Sequence, residues 1–263
     1  MNRIDERMNR VKAEGRKALI TFLTVGDPNI EVSKAAVKAM QEEGADLIEL
    51  GVPFSDPAAD GEAIQKADER AIANGTDIFK VFDFVKEIRD ETEVPLVFLL
   101  YYNVMVQYGA EEFFKKCAEV GVDGLIIPDL PYEEKDDISE YVEKYGVYQI
   151  YLVSPASHDR IKRIASEAKG FLYCVSSLGV TGEKSSFKTD FEEFFGEIKK
   201  YTEVPACVGF GISNGAQVRE LSSYCDGAIV GSALVNAIAS GKDEKASIAN
   251  LRAKMQDLMT GIK

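Results

Sequence analysis

The sequence predicts an α/β fold, a (β/α)8 TIM barrel with an extra N-terminal helix and a C-terminal helix. Eight short apolar runs recur along the 263 residues, and most are followed by a polar loop and a segment of helical periodicity. This alternation is typical of parallel strands joined by crossover helices. One such barrel takes about 250 residues, so we expect residues 1–263 to form a single domain.

Two internal sequence repeats favour a closed barrel over an open sheet. Residues 44–48, 121–126 and 225–229 each run from a helix exit through an Asp into an apolar strand. Residues 92–95 and 202–205 are both Thr-Glu-Val-Pro and precede the third and seventh predicted strands. Repetition across four units suits an eightfold barrel.

The elements are assigned from these patterns in chain order. The strands are expected at Ala18–Leu23, Asp46–Gly51, Val94–Leu100, Gly124–Pro128, Tyr148–Val153, Gly170–Ser176, Ala206–Gly209 and Gly227–Gly231. Helices are expected where apolar residues recur every three or four positions. They are Met1–Lys12, Ile30–Glu43, Glu62–Asn74, Glu111–Val120, Glu133–Tyr145, Asp159–Lys169, Asp190–Tyr201, Ala216–Tyr224 and Glu244–Met259.

Composition and charge argue against several classes of function. Hydrophobic residues make up 46% of the chain, and its four cysteines lie far apart with no Cys-x-x-Cys pair, so we expect a reducing cytoplasm and no metal. The 31 basic against 44 acidic residues give a net charge of −13, which would repel nucleic acid and anionic membranes. The sequence shows no signal peptide and no apolar run that would span a membrane.

Residues 49–61 are the first candidate site. Glu49 ends the second predicted strand among apolar neighbours, and Asp56 and Asp60 follow in a Pro/Gly loop. Catalytic groups of α/β barrels lie at the carboxyl ends of the strands, and an acid surrounded by hydrocarbon has an unusual pKa. The alternative is that Glu49 ends its strand in water and that the two aspartates are turn residues, an alternative that is strongest for Asp56.

Glycine-rich loops form a second candidate site, for a phosphate. Residues 179–182, 209–213 and 231–232 follow the sixth, seventh and eighth predicted strands. A helix beginning at Ser232 would direct N–H groups and its positive dipole end at an anion. Each glycine pair could equally serve a barrel turn, and Ser213 and Ser232 could be helix N-caps, but three such loops at adjacent strand ends favour a phosphate site.

Other reactive side chains receive structural interpretations. His158 is the only histidine and stands at a helix start, which favours an exposed position over an acid–base role. Three lysines lie outside the apolar strand ends that would suit a Schiff-base lysine: Lys17, Lys162 and Lys184. Three tyrosines near strand ends are either core or the walls of a flat, apolar pocket: Tyr101, Tyr102 and Tyr173.

Residues 49–57 together with 59–61 resemble the signature of the tryptophan synthase alpha subunit, and the resemblance covers essentially the whole chain. Supporting motifs are Thr21-Phe22, Gly26-Asp27-Pro28, Tyr101 with Asn103, Pro128-Asp129-Leu130-Pro131, Gly179-Val180-Thr181-Gly182 and Gly209-Phe210-Gly211-Ile212-Ser213. The resemblance implies a lyase that cleaves indole-3-glycerol phosphate to indole and glyceraldehyde 3-phosphate by retro-aldol chemistry, in L-tryptophan biosynthesis. It implies no cofactor in this chain and pyridoxal phosphate only in a beta partner.

The resemblance also implies residue roles. Glu49 matches the general acid/base, Asp60 matches the aspartate that assists at the indole nitrogen, and Asp56 is a candidate for the loop that meets the partner. The substrate-lining matches are Phe22, Ile64, Leu99, Tyr101, Tyr173, Thr181 and Phe210. The phosphate-site matches are Gly182, Gly211, Gly231 and Ser232.

The expected partner is a tryptophan synthase beta subunit in an α2β2 assembly, with no nucleic acid and no membrane. Glu62, Val104 and Lys184 depart from residues common in the family. These departures are expected to affect loop closure and affinity for the partner more than the chemistry. Two other functions stay open: a catalytically quiet subunit that activates its partner, and a different phosphate-binding barrel enzyme such as a sugar-phosphate isomerase. Turnover of indole-3-glycerol phosphate distinguishes among them.

Overall fold

Parallel strands surrounded by helices form the molecule. The computed structural model describes residues 1–175, 190–209 and 211–262. The strand segments in these ranges are β1 Ala18–Thr24, β2 Leu47–Gly51, β3 Leu96–Leu99, β4 Gly124–Ile126, β5 Tyr148–Gln149, β6 Leu152–Val153, β7 Leu172–Val175, β8 Ala206–Gly209 and β9 Gly227–Val230. The α-helices are α1 Arg3–Ala13, α2 Ile30–Glu42, α3 Glu62–Ala73, α4 Ile78–Arg89, α5 Tyr102–Tyr108, α6 Ala110–Val120, α7 Asp136–Tyr145, α8 Arg160–Glu167, α9 Phe191–Ile198, α10 Gly215–Leu221, α11 Ser232–Ala239 and α12 Glu244–Ile262.

The sheet closes into a barrel at the fifth predicted strand. Its order is β5-β4-β3-β2-β1-β9-β8-β7-β6, and only Ile150 and Tyr151 separate β5 from β6. Ile150 N–H donates to Leu125 O at 2.8 Å on one side, and Tyr151 O accepts from Tyr173 N–H at 2.9 Å on the other. The barrel is confirmed. The prediction of one uninterrupted strand at Tyr148–Val153 is wrong, because the backbone there passes from pairing with β4 to pairing with β7.

Side chains of the strands alternate between two cores. In β2, Ile48 and Leu50 join the large cluster that lies between strands and helices. Leu47 belongs to the smaller cluster inside the barrel. Because successive side chains of a strand point to opposite faces, Glu49 also points into the barrel, at its carboxyl end.

The two internal sequence repeats correspond to repeated hydrogen bonds. In each Asp-containing exit the carboxylate accepts a main-chain N–H of a neighbouring strand: Asp46 from Leu19 at 3.0 Å, Asp123 from Leu96 at 2.9 Å and Asp226 from Ala206 at 3.0 Å. Both Thr-Glu-Val-Pro segments make the same turn: Thr92 Oγ1 accepts from Val94 N–H at 3.0 Å, and Thr202 Oγ1 from Val204 N–H at 3.1 Å.

Two helices were not predicted. The α4 helix carries Val81, Val85 and Ile88 on its buried face and is capped by Asp77, which accepts from Lys80 N–H at 2.9 Å. The helical spacing of these apolar residues is visible in the sequence and could have predicted the helix. The α5 helix has seven residues, too few to establish a period. No helix in the described ranges is long and apolar enough to cross a bilayer.

The N-terminal helix plugs the amino end of the barrel. Ile4, Met8 and Val11 of α1 are buried in the inner cluster. Next to them, Asn2 Nδ2 donates to Asp123 O at 2.8 Å, just before β4 begins. With this end filled, the carboxyl end is left for a binding cavity.

Ile4→Ala is expected to lower the free energy of unfolding by about 2–5 kcal/mol, because it removes a buried side chain and leaves a cavity. Urea denaturation monitored by circular dichroism measures the change. Asn9 is exposed on the same helix, so Asn9→Ala serves as the control and should stay within about 0.5 kcal/mol of wild type. Equal stability of the two variants would mean that α1 does not plug the barrel.

Candidate active site

A mostly apolar cavity lies at the carboxyl ends of the strands. Nine of the residues that sequence reasoning assigned to a site line it: Phe22, Glu49, Asp60, Ile64, Leu99, Tyr173, Gly211, Gly231 and Ser232. Six lining residues were not assigned: Ala59, Ile126, Pro128, Leu152, Ile212 and Ile229. Several of these alternate with outward-facing residues on their strands, so the period-two pattern could have found them.

Glu49 is a buried carboxyl with no ion-pair partner among the described residues. It is 1% exposed, and pairing with both neighbouring strands places it beside Phe22 and Val97. Its Oε1 has no hydrogen-bond partner in the described part of the chain. Burial raises the pKa of Glu49 to about 8, because the charged form loses its hydration. Near neutral pH the carboxyl therefore carries a proton that it can give up and recover.

Asp60 is buried in a more polar setting. The Tyr101 hydroxyl donates to Asp60 Oδ2 at 2.7 Å and accepts from Ala59 N–H at 2.9 Å. Burial raises the pKa of Asp60, while the hydrogen bond from Tyr101 opposes that shift by favouring the anion. The ring of Tyr101 stacks on Phe54 with centroids 5.1 Å apart. Tyr101, which was expected to line the substrate pocket, contacts the cavity residue Asp60 through its hydroxyl.

Asp68 of α3 is an acid that sequence reasoning missed. It is 4% exposed, and burial followed by the charge of Asp60 raises its pKa to about 8. Its position could have been a signal, since it shares the buried face of α3 with Ile64, Ala67 and Ala71. An acid within an apolar helical stripe is unusual.

Tyr173 faces the same cavity as a neutral phenol. Burial and the nearby Glu49 and Asp60 raise its pKa well above the usual value. A Cβ atom on Gly209 would lie 2.6 Å from the Tyr173 hydroxyl. Glycine at position 209 thus gives the tyrosine room to point into the cavity.

The opposite part of the cavity is built from main chain. Gly211 has a φ of +89°, a conformation that favours glycine. Gly231 is the N-cap residue of α11, and Ser232 is its first residue, so the helix N-terminus reaches the cavity wall. Asn214, and not Ser213, caps α10. Three predicted site residues, Thr181, Gly182 and Phe210, and also Lys184 lie outside the described residues.

Other singled-out residues lie away from the cavity. His158 is exposed, Lys17 Nζ is 4.0 Å from Asp226, and Lys162 lies over the Tyr201 ring. Asp56 is exposed and accepts from Ser55 Oγ at 2.8 Å. The departures Glu62 and Val104 begin α3 and lie in α5, respectively. Within the described ranges, no cluster of His, Cys, Asp or Glu side chains could hold a metal ion.

Fold and cavity define an α/β-barrel protein whose carboxyl-end site contains a buried acid and a helix N-terminus. A family described as tryptophan synthase alpha chain matches residues 8–263. The chain belongs to this family, and with it to the lyases of tryptophan biosynthesis.

Relatives and solved structures agree over nearly the full chain. The Thermoanaerobacter sp. (strain X514) tryptophan synthase alpha chain is 48% identical over 98% of both chains. The Methanocaldococcus jannaschii alpha chain is 44% identical over 94% of this chain and 88% of that one. A structure from Aquifex aeolicus VF5 superposes with a TM-score of 0.91 at 34% identity over all of both chains. Mycobacterium tuberculosis tryptophan synthase gives 0.90 at 34% identity over 99% of this chain and 98% of that one.

Glu49→Gln is expected to stabilise the protein increasingly between pH 5 and pH 8. In the unfolded chain Glu49 ionises near its ordinary pKa, whereas the folded protein holds the proton up to about pH 8. Wild type therefore loses stability relative to the non-titrating variant by roughly 1.4 kcal/mol per pH unit at most. Above pH 8 the difference becomes constant.

Urea unfolding of both proteins at several pH values measures this difference. Glu6 is exposed on α1, and Glu6→Gln is the control that should show no comparable trend. A Glu49→Gln difference that stays flat from pH 5 to pH 8 would contradict the raised pKa.

Proposed function

We propose that this chain cleaves indole-3-glycerol phosphate to indole and glyceraldehyde 3-phosphate. The observation that carries the proposal is the buried carboxyl of Glu49, which lies in one apolar cavity with Asp60 and the N-terminus of α11. Family membership supplies the substrate class, and the cavity supplies groups suited to it.

Glu49 would move the proton in both directions. In its protonated form it donates to indole C3, which breaks the aromatic system and places positive charge on the ring nitrogen. The resulting carboxylate then takes the proton from the hydroxyl on the side-chain carbon that is bonded to C3. The carbon–carbon bond breaks, its electron pair returns to the ring, and the hydroxyl carbon becomes the aldehyde. No net proton is consumed, and a pKa near 8 suits a group that must both give and take one.

Asp60 would act as the anion at the indole nitrogen. Its hydrogen bond from Tyr101 favours the carboxylate form, and a fixed negative charge stabilises the positive charge that develops on the ring. Glu49 is thus assigned the protonated form and Asp60 the charged form because their environments differ: hydrocarbon surrounds Glu49, and a phenol hydroxyl contacts Asp60.

The rest of the cavity would bind the two ends of the substrate. Phe22, Leu99 and Ile64 give apolar walls suited to a flat indole ring. The N-terminus of α11, at Gly231 and Ser232, would bind the phosphate through its main-chain N–H groups. Because two proton transfers and the return of the bonding electron pair to the indole ring account for the reaction, the proposed mechanism requires no cofactor in this chain.

Glu49→Gln is expected to reduce indole release by at least about 100-fold, the lower end of a general acid/base contribution. The amide can neither donate a proton to C3 nor accept one from the hydroxyl. Purified chain is assayed with indole-3-glycerol phosphate, and indole is quantified. Glu192→Gln is the matched control, since Glu192 is exposed on α9.

Normal turnover by Glu49→Gln would reject Glu49 as the acid/base. Wild-type chain that releases no indole, alone or with a beta subunit, would reject the reaction itself. Turnover of a sugar phosphate instead would favour an isomerase.

We infer that the partner is a tryptophan synthase beta subunit. Structural relatives include tryptophan synthase from M. tuberculosis. The loop after β2 has exposed residues at Ser55, Asp56 and Ala58, and it ends at buried Asp60. A partner that contacts its exposed part could therefore displace Asp60. The four buried, unpaired cysteines suit a reducing cytoplasm.

Asp56→Ala is expected to weaken beta-subunit binding and the accompanying stimulation of indole release, because it removes an exposed charge from this loop. Copurification and isothermal calorimetry measure binding. Asp83→Ala is the control, since Asp83 is exposed on α4. Failure of the wild-type chain to bind any beta subunit would contradict the inferred partner, and unchanged affinity of Asp56→Ala would remove Asp56 from the interface.

A further inference from the structure

Asp68 lies behind the loop that carries Asp60. Its carboxyl shares a hydrogen bond of 3.4 Å with Thr24 Oγ1 of β1. The main-chain amide of Phe54, near the start of the loop, also stabilises its charged form. Asp68 therefore links a helix, a barrel strand and the loop.

The groups around Asp68 do not neutralise it. The charges that act on it are those of Asp60 and Asp27, both acids. Arg70 is engaged by Asp27, with hydrogen bonds of 2.6 Å and 2.8 Å. Besides these acids, Asp68 accepts a hydrogen bond from the Thr24 hydroxyl, and its charge contributes to the raised pKa of Tyr101.

Contacts continue from Asp68 to Asp60 along the loop. The ring of Phe54 stacks on Tyr101, and Tyr101 in turn binds both Ala59 N–H and the Asp60 carboxyl. One end of the loop is thus fixed at Asp68 and the other at Tyr101, and the stacked rings connect the two.

We propose that Asp68 is a positioning residue: its carboxyl ties the Phe54 end of the β2–α3 loop to β1 and thereby sets the location of Asp60 in the active site. The proposal rests on the cleavage reaction proposed above. It assigns Asp68 no contact with the substrate, and its effect reaches the chemistry through Asp60.

The protonation state of Asp68 decides how well this anchor works. Burial and the neighbouring charge of Asp60 raise the pKa of Asp68 to about 8. Near neutral pH Asp68 is uncharged, so Asp60 can be the anion without a second negative charge beside it. Above pH 8 both acids are charged, and their repulsion pushes Asp60 away from the position that the hydrogen bonds of Asp68 otherwise hold. Loss of activity at alkaline pH then has two sources, Glu49 and Asp68.

The first experiment measures kcat and KM against pH for three variants. Asp68→Ala removes the anchor and should lower kcat by about tenfold or more with little change in KM, since small displacements of catalytic groups are costly. Asp68→Asn keeps the shape and should retain most of kcat near pH 7. Its activity should fall less steeply above pH 8 than that of wild type, because only Glu49 then loses a proton in this pH range. Glu69→Gln removes an exposed acid from the next position of α3 and should reproduce the wild-type profile.

A wild-type kcat in Asp68→Ala, or an alkaline limb in Asp68→Asn as steep as in wild type, would overturn the proposal. Thermal melts of each variant at pH 7 separate loss of folding from loss of positioning.

The second experiment needs no turnover. The carboxyl ¹³C signal of Asp68 is titrated by NMR in the wild-type chain and in Asp60→Asn, and Asp68→Asn assigns the signal. The midpoint should lie near pH 8 in wild type and move to lower pH in Asp60→Asn, because the like charge is gone. An unchanged midpoint would overturn the coupling of the two acids. If wild-type chain fails to cleave indole-3-glycerol phosphate, the proposed function fails, and this titration still decides whether Asp68 and Asp60 interact.

Discussion

The burial of Glu49 is the constraint on which the active site depends. A carboxyl in hydrocarbon keeps its proton only if water and cations stay away, and among the described residues Glu49 is 1% exposed, with burial as the cause of its raised pKa. Strands on both sides hold β2 in place, and α1 fills the amino end of the barrel below it. The apolar walls formed by Phe22 and Leu99 complete the enclosure. The fold therefore stabilises a group that would be ionised in water.

Three buried acids at one end of a barrel would repel one another if all were charged. The structure separates their properties through their neighbours. Glu49 has an unpartnered oxygen, Asp60 has a phenol donor, and Asp68 has a threonine hydroxyl and a main-chain amide. Environments that push apart the pKa values of neighbouring acids give each acid a different role, which is the basis for assigning proton transfer to Glu49 and charge stabilisation to Asp60.

Sequence periodicity predicted the barrel and most of its elements, because burial on one face leaves a regular pattern. It could not predict the break at Ile150–Tyr151, which arises from closing the ring. Glu49 stood out as an acid in an apolar run. The role of Tyr101 did not stand out in the sequence, because its contact with Asp60 joins residues far apart in the chain. Asp68 left a local signal, but its significance depends on the loop that folds over it.

The raised pKa of Glu49 can be tested directly, because the titration of its carboxyl can be observed. The chain is labelled with ¹³C at the glutamate side-chain carboxyl, and its spectrum is followed by NMR from pH 4 to pH 10, with Glu49→Gln identifying the signal. The midpoint should lie near pH 8. A midpoint near 4.5, the ordinary value for a glutamate, would show that the barrel does not hold the proton and that Glu49 is ionised at neutral pH.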